Sequence, residues 1–181
     1  MGKGSRTVER LYDPLTTPAR RIIVGIGELA VSNAPDDVIV THALGSCVAV
    51  CLYDPVAGVA AMLHFLLPDA RINAQRARMQ PAAFADLGIP LLFHTAYEYG
   101  LEKRRAIVKL AGGAERTDVT GPMTSALRTG HRNILAAKNV LWRNGVMIDT
   151  ENVGGTTART VHLSVRDGRL QIFNGRQFTE L

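Results

Sequence analysis

Cysteine is scarce in this sequence, which has only Cys47 and Cys51 among its 181 residues. Two cysteines are too few for a disulfide framework. Their separation along an apolar, strand-like segment would set them about 13 Å apart, beyond disulfide reach. The sequence also lacks the second cluster of cysteine and histidine that a zinc site needs. We therefore expect two free thiols, no metal and no other cofactor.

Long apolar runs are missing as well. No stretch approaches the roughly 18 to 20 consecutive apolar residues that cross a bilayer. The N-terminal residues do not follow the pattern of a secretory signal. These features favour a cytoplasmic protein that does not insert into a membrane.

Aromatic residues make up 6% of the sequence and do not alternate with the basic residues, which give a formal net charge of +5. Surfaces that bind nucleic acid usually combine the two residue types, so we do not expect nucleic acid as a partner. The basic residues either form ordinary solvated surface or steer the protein toward an acidic partner.

The length and the apolar content of 46% are typical of a single domain with one core. Residues 1–20 are polar, contain Pro14 and Pro18 and show no periodicity, so we interpret them as a flexible arm. Residues 21–181 then form the domain.

Short apolar segments rich in β-branched residues alternate with turn residues through most of the domain. Strands are predicted at residues 22–24, 37–41, 47–53, 59–66, 105–110, 146–149, 159–165 and 170–173. Helical spacing is limited to residues 91–99, with Pro90 in the first turn, and to residues 130–144. Residues 69–83 have no clear pattern. Many strands with two helices predict a layered α+β fold, an α/β sandwich of mixed or antiparallel sheets with flanking helices.

Residues 54–58 carry proline and glycine between two apolar segments and predict a hairpin. With a loop of 54–57, Cys47 lies directly opposite His64, and their Cβ atoms are about 5 Å apart. A loop of 55–58 makes them diagonal neighbours on the same face, whereas a three-residue loop puts them on opposite faces. Two of these three registers bring a thiol and an imidazole together, although Cys47 follows a Gly-Ser pair and could precede the regular pairing.

A neighbouring imidazole can take the proton of a thiol, so Cys47 as nucleophile with His64 as base predicts an acyl-transfer site. On a glutamine side chain, the thiolate attacks the amide carbon, His64 protonates the departing ammonia, and water hydrolyses the thioester. The hydroxyl of Thr41 is a candidate for orienting His64. The backbone N–H groups of Ser46 and Cys47 are candidates for the oxyanion hole.

Packing roles are the alternative for these residues. Cysteine behaves as a small hydrophobe, and His64, between two large apolar residues, can be a satisfied core histidine. Cys51 lies deep in an apolar strand and has only a packing interpretation. His42 is the reserve candidate for the base, because it adjoins Thr41.

A long segment of the sequence resembles the central motif of the CheD family of chemoreceptor glutamine deamidases. It runs THALGSCVAVCLYDP at residues 41–55 and continues with MLHFLLP at residues 62–68. Shorter similarities to the family's opening strand, glycine turn, helix start and late loop are VGIGE (24–28), KLAGGA (109–114), GHRN (130–133) and VGG (153–155) with Ala158-Arg159. Together these segments span about residues 22–175.

The resemblance implies a papain-like triad of Cys47, His64 and Thr41, in a fold similar to that of toxin deamidase domains. It also implies that the substrates are glutamines of methyl-accepting chemotaxis receptors, and that a CheC-type phosphatase is a partner in some bacteria. The sequence departs from the family in its long N-terminal arm, in residues 71–83 and at His131, where an acidic residue is commoner. These departures bear on docking rather than on the triad.

The leading hypothesis is therefore a protein-glutamine glutaminase, a cysteine amidohydrolase that regulates chemotaxis. A non-catalytic module that regulates a CheC-type phosphatase or a receptor is the alternative. The same thioester chemistry on an ester would make a receptor methylesterase. The Cys-His-Thr set favours catalysis, whereas the choice of a chemoreceptor as substrate comes from the resemblance alone.

Overall fold

Two five-stranded β-sheets stacked face to face form the centre of the protein in a computed structural model, which describes residues 20–115 and 129–181. The strands are β1 (Arg20–Ile23), β2 (Glu28–Ser32), β3 (Asp37–Leu44), β4 (Val48–Asp54), β5 (Val59–Phe65), β6 (Ile107–Gly112), β7 (Thr150–Val153), β8 (Arg159–Ser164), β9 (Leu170–Phe173) and β10 (Phe178–Glu180). The helices are α1 (Ala74–Met79), α2 (Ala85–Glu98) and α3 (Thr129–Arg143). The predicted arm lies outside the described residues, except for Arg20, which begins β1.

Sheet I has the strand order β1-β3-β8-β9-β10, and sheet II has the order β2-β5-β4-β6-β7. The pairs β1–β3 and β6–β7 are parallel, while the other neighbouring strands are antiparallel. The predicted β4–β5 hairpin is present, and the predicted strands at residues 159–165 and 170–173 form a second hairpin, β8–β9. The α+β class with mixed sheets is confirmed.

Sheet II is buried on both faces, which explains the nearly continuous apolar run of its central strands. Along β5, Ala60 and Met62 face sheet I, whereas Ala61, Leu63 and Phe65 belong to the core on the helical side. Helix α2 packs against β5, and α3 packs against β4. The protein therefore has three layers, in the order sheet I, sheet II and helices.

The helical layer differs from the prediction in two places. Helix α2 begins at Ala85, so the prediction that Pro90 lies in its first turn is wrong. Burial of Ile89 and Leu92 against sheet II outweighs the one backbone hydrogen bond that proline removes. The interpretation of residues 69–83 as irregular is also wrong, because they include α1, whose first turn is capped by the side chain of Asn73.

The strand predicted at residues 146–149 is wrong as well. The strand in this region is β7, which starts at Thr150, is polar and lies at the edge of sheet II. Residues 146–149 instead lead from α3 back to the sheet, where the carboxylate of Asp149 accepts a hydrogen bond from Val108 N at 2.7 Å. Polar edge strands have little apolar alternation, so sequence patterns miss them. None of the helices described here is long and apolar enough to cross a membrane.

Candidate functional site

The register of the β4–β5 hairpin decides how Cys47 and His64 are placed. Asp54 pairs with Val59, and Ala49 pairs with His64, so the loop is residues 55–58. Cys47 immediately precedes β4 and is therefore the diagonal neighbour of His64 on the same face. This is one of the two registers that were predicted to bring the thiol and the imidazole together.

Thr41, Cys47 and His64 meet at the boundary between the two sheets. Thr41 belongs to β3 of sheet I, His64 belongs to β5 of sheet II, and Cys47 lies in the connection from β3 to β4. Thr41 and His64 are sealed, with 0% and 1% of their surfaces exposed, whereas Cys47 keeps 7%. Of the three residues, Cys47 is therefore the one with the most exposed surface. The reserve base His42 is exposed and does not join them.

A hydrogen bond ties the two sheets together at this point. Thr41 Oγ1 lies 2.7 Å from His64 Nδ1 and donates to the carbonyl of Val24 at 2.7 Å. Because a hydroxyl has one hydrogen, Oγ1 accepts from His64, and the ring proton is on Nδ1. Nε2 then carries the lone pair, and it has no hydrogen-bond partner among the described residues. His64 is thus oriented as a base.

The local environment keeps both members of the pair neutral. Burial lowers the pKa of His64 from 6.5 to about 4. Burial also raises the pKa of the Cys47 thiol, an effect that the Arg76 guanidinium opposes. At neutral pH the pair is therefore a thiol and a neutral imidazole, an arrangement suited to general-base catalysis. Cys51 is inert, because its complete burial raises its thiol pKa to about 12.

The carbonyl groups of segment 45–47 are all anchored. Gly45 O accepts from Ala114 N at 2.7 Å, and Cys47 O accepts from Gly113 N at 2.7 Å. Ser46 O accepts from the side-chain amide of Asn133 at 2.9 Å. The N–H groups of Ser46 and Cys47 donate to no backbone carbonyl in the described part of the chain. They are therefore available to a developing oxyanion.

Gly112 permits this close approach of the glycine turn to Cys47. Its φ angle is +109°, and a Cβ atom at this position would lie 2.4 Å from the Cys47 carbonyl oxygen. Any other residue would push segment 45–47 away from β6. The glycine turn quoted from the sequence thus holds the backbone of the thiol-bearing segment.

Two residues beside the site were missed as participants from the sequence. Arg76 belongs to α1, which the sequence did not predict, and its guanidinium donates to Gln80 Oε1 at 3.1 and 3.2 Å. Gln80 in turn donates to Ile26 O at 3.0 Å, which sets α1 beside the turn before β2. The sequence indicated Asn133 only as part of the GHRN segment, which resembles a helix start of the CheD family. No spacing rule connects either residue to Cys47, because both contacts are long-range.

The described residues contain no group of three or more histidine, cysteine, aspartate or glutamate side chains that could hold a metal ion.

Comparison with known proteins matches residues 66–174 to the family described as CheD chemotactic sensory transduction. The probable chemoreceptor glutamine deamidase CheD 1 of Syntrophus aciditrophicus is 43% identical over 149 residues, which is 82% of this chain and 91% of that protein. The probable CheD 2 of Anaeromyxobacter dehalogenans is 44% identical over 160 residues, 88% of this chain and 98% of that protein. The chemoreceptor glutamine deamidase CheD of Thermotoga maritima is 38% identical over 150 residues, 83% of this chain and 89% of that protein.

Among solved structures, that of the hypothetical protein YfiH of Bacillus licheniformis has a TM-score of 0.44 and 12% identity, covering 68% of this chain and 49% of that chain. The matched family segment begins after Thr41, Cys47 and His64.

Proposed function

This chain belongs to the CheD family, and from that premise we propose that it deamidates glutamine side chains of methyl-accepting chemotaxis receptors. Cys47 is the nucleophile, His64 is the base, and Thr41 orients His64. The observation that carries the proposal is the buried Thr41–His64 hydrogen bond, which leaves Nε2 unpartnered on the face that Cys47 shares.

The reaction runs in two halves through a thioester. Cys47 Sγ attacks the amide carbon while its proton passes to His64 Nε2, and the oxyanion binds the N–H groups of Ser46 and Cys47. The imidazolium returns this proton to the departing nitrogen, and ammonia leaves. His64 then takes a proton from water, whose oxygen attacks the thioester. Glutamate is released and the thiol is restored.

The orientation of His64 serves both halves of this reaction. Because Nδ1 donates to Thr41 Oγ1, the same nitrogen, Nε2, takes and returns each proton. A neutral hydroxyl adds no negative charge to the site, so the imidazole stays neutral at physiological pH. The base is then in its reactive form before substrate binds.

The partners and location follow from the proposed substrate. The protein acts in the cytoplasm on the signalling part of the receptors, and conversion of glutamine to glutamate there regulates chemotaxis. A CheC-type phosphatase is a further proposed partner. The basic residues favour approach to an acidic surface.

The test measures ammonia release and the change in mass of receptor peptides, with wild type, Cys47→Ala and Cys51→Ala. We expect wild type and Cys51→Ala to release ammonia and to raise the peptide mass by the difference between NH2 and OH. Cys47→Ala should do neither. Full activity of Cys47→Ala would refute the mechanism. An unchanged peptide mass with wild type, together with tight receptor binding, would point to a non-catalytic module.

A further inference from the structure

Asn133 in α3 is completely buried beside the connection that carries Cys47. Its Nδ2 donates to Ser46 O at 2.9 Å and to Leu66 O at 2.8 Å. The reversed amide would set Oδ1 against two carbonyl oxygens, so the orientation of the side chain is defined by its partners. Both hydrogens of this amide are therefore used to join two separate backbone segments.

These two segments are the ones that carry the proposed catalytic pair. Ser46 precedes Cys47, and Leu66 lies two residues after His64. The β4–β5 ladder ends with the pairing of Val48 and Phe65, so strand pairing does not extend to Cys47. The amide of Asn133 spans the two chains where the ladder stops.

The other anchors of segment 45–47 run to a different part of the protein. Gly45 O and Cys47 O accept hydrogen bonds from the glycine turn after β6. Within the described residues, the Asn133 amide is the one hydrogen-bonded link between segment 45–47 and the end of β5. This link therefore joins the segment that carries the thiol to the end of the strand that carries the imidazole.

We propose that Asn133 is a positioning residue that sets the approach of Cys47 to His64, an inference that rests on the proposed function. Asn133 Oδ1 is buried and has no hydrogen-bond partner among the described residues. An unpaired buried acceptor destabilises a fold, so an apolar side chain would serve a pure packing role better. The requirement for two donors at this position explains why a buried amide is present.

The experiment compares Asn133→Ala with Asn139→Ala, the same substitution at an exposed position of α3. One readout is the rate at which iodoacetamide alkylates Cys47 at neutral and at strongly alkaline pH. Peptide mass spectrometry measures this rate. The second is kcat and KM for receptor-peptide deamidation. Melting temperature reports folding.

We expect Asn133→Ala to lower two quantities by roughly ten- to a hundred-fold, namely kcat and the rate of alkylation at neutral pH. KM should change little. At strongly alkaline pH the thiol ionises without His64, so alkylation there should match wild type. This pH-dependent difference would not arise from a general loss of packing. Asn139→Ala should match wild type in every measurement.

A folded Asn133→Ala protein with wild-type alkylation at both pH values and wild-type kcat would overturn the inference. If that variant does not fold, Asn133→Ser, which keeps one donor, is measured in the same way.

Wild-type protein gives an independent readout by NMR. Alkylation of Cys47 should shift the side-chain amide signals of Asn133 and leave those of Asn139 in place, and an unmoved Asn133 signal would contradict the inference.

The same data separate this inference from the proposed function. If wild type does not deamidate receptor peptides but Asn133→Ala still lowers alkylation at neutral pH only, the function is wrong and the positioning role stands. If wild type deamidates and Asn133→Ala does so equally well, the function stands and the positioning role is wrong.

Discussion

The hydroxyl of Thr41 determines which nitrogen of His64 can act as a base. Its single hydrogen goes to Val24 O, so it can only accept from Nδ1. A carboxylate in this position would raise the pKa of the imidazole, whereas burial beside a neutral hydroxyl lowers it to about 4. The proposed base is thus neutral across the physiological range, and so is the Cys47 thiol.

Thr41→Val tests this orienting role, since valine has nearly the same shape and lacks the hydroxyl. We expect kcat for deamidation to fall by about tenfold or more, because Nδ1 loses its acceptor and the ring can take the other tautomer. Thr41→Ser keeps the hydroxyl and should retain most of the activity. Wild-type kcat in a folded Thr41→Val protein would show that the hydroxyl does not orient the base.

Arg76 supplies positive charge near the Cys47 thiol. We expect Arg76→Ala to raise the thiol pKa further, because the charge that opposes the effect of burial is lost. Arg76→Lys should raise it less. Thiolate absorbance against pH measures the change, in a Cys51→Ala background. Arg78→Ala, an exposed arginine on the same helix, is the control and should leave the titration unchanged.

Among the elements, the β4–β5 turn has the greatest influence on the site. The Asp54 carboxylate is completely buried and accepts hydrogen bonds from Val56 N, Ala57 N, Glu102 N and Arg105 Nε. Burial alone would raise its pKa, yet the Arg105 and backbone hydrogen bonds hold the pKa below its ordinary value. The turn fixes the register, and a slip by one residue would move His64 to the helical face of sheet II.

Asp54→Ala should therefore destabilise the protein by about 3 kcal/mol, because three backbone N–H groups and Arg105 lose their shared acceptor. The free energy of unfolding in urea measures the loss. Asp36→Ala is the matched control, since Asp36 pairs with Arg166 on the exposed surface and such pairs contribute little. Equal urea midpoints for the two variants would mean that the turn contacts do not stabilise the hairpin.

At the scale of the whole molecule, the site exists only where the two sheets meet. Thr41 comes from sheet I and His64 from sheet II, and their hydrogen bond crosses the core between them. Neither sheet alone contains a thiol, a base and an orienting group in one place. Assembly of the site is therefore coupled to packing of the sheets.

Burial of His64 also makes stability depend on pH. The folded pKa is about 4 and the ordinary value is 6.5. Above pH 6.5 the ring is neutral in both states, and stability is complete. As the pH falls from 6.5 toward 4, the unfolded chain binds a proton that the folded chain does not, so stability is lost. Burial also lowers the pKa of His162 to about 4, so this residue adds to the loss of stability.

We expect His64 to contribute a loss on the order of 3 kcal/mol between these pH values. Urea unfolding at a series of pH values measures it. His64→Gln should flatten part of the slope. A wild-type stability that stays constant from pH 6.5 to 4 would contradict the prediction.

The layered α+β class, the β4–β5 hairpin and the long motif around Cys47 and His64 could all be predicted from the amino-acid sequence. These depend on local features, namely apolar alternation, turn residues and a contiguous string of letters. Of three hairpin registers, the sequence left two in which the thiol and imidazole share a face. It did not indicate α1 or the edge strands β2, β7 and β10, because a short helix and short edge strands have weak local patterns.

The final register, the proton position on His64 and the neighbours of Cys47 depend on contacts that form when the chain folds. The register depends on how Asp54 is held by Glu102 and Arg105, far along the chain. Asn133 and Arg76 reach the Cys47 region from different helices. Such contacts form by packing of elements that are distant in sequence, and local residue patterns carry no information about them.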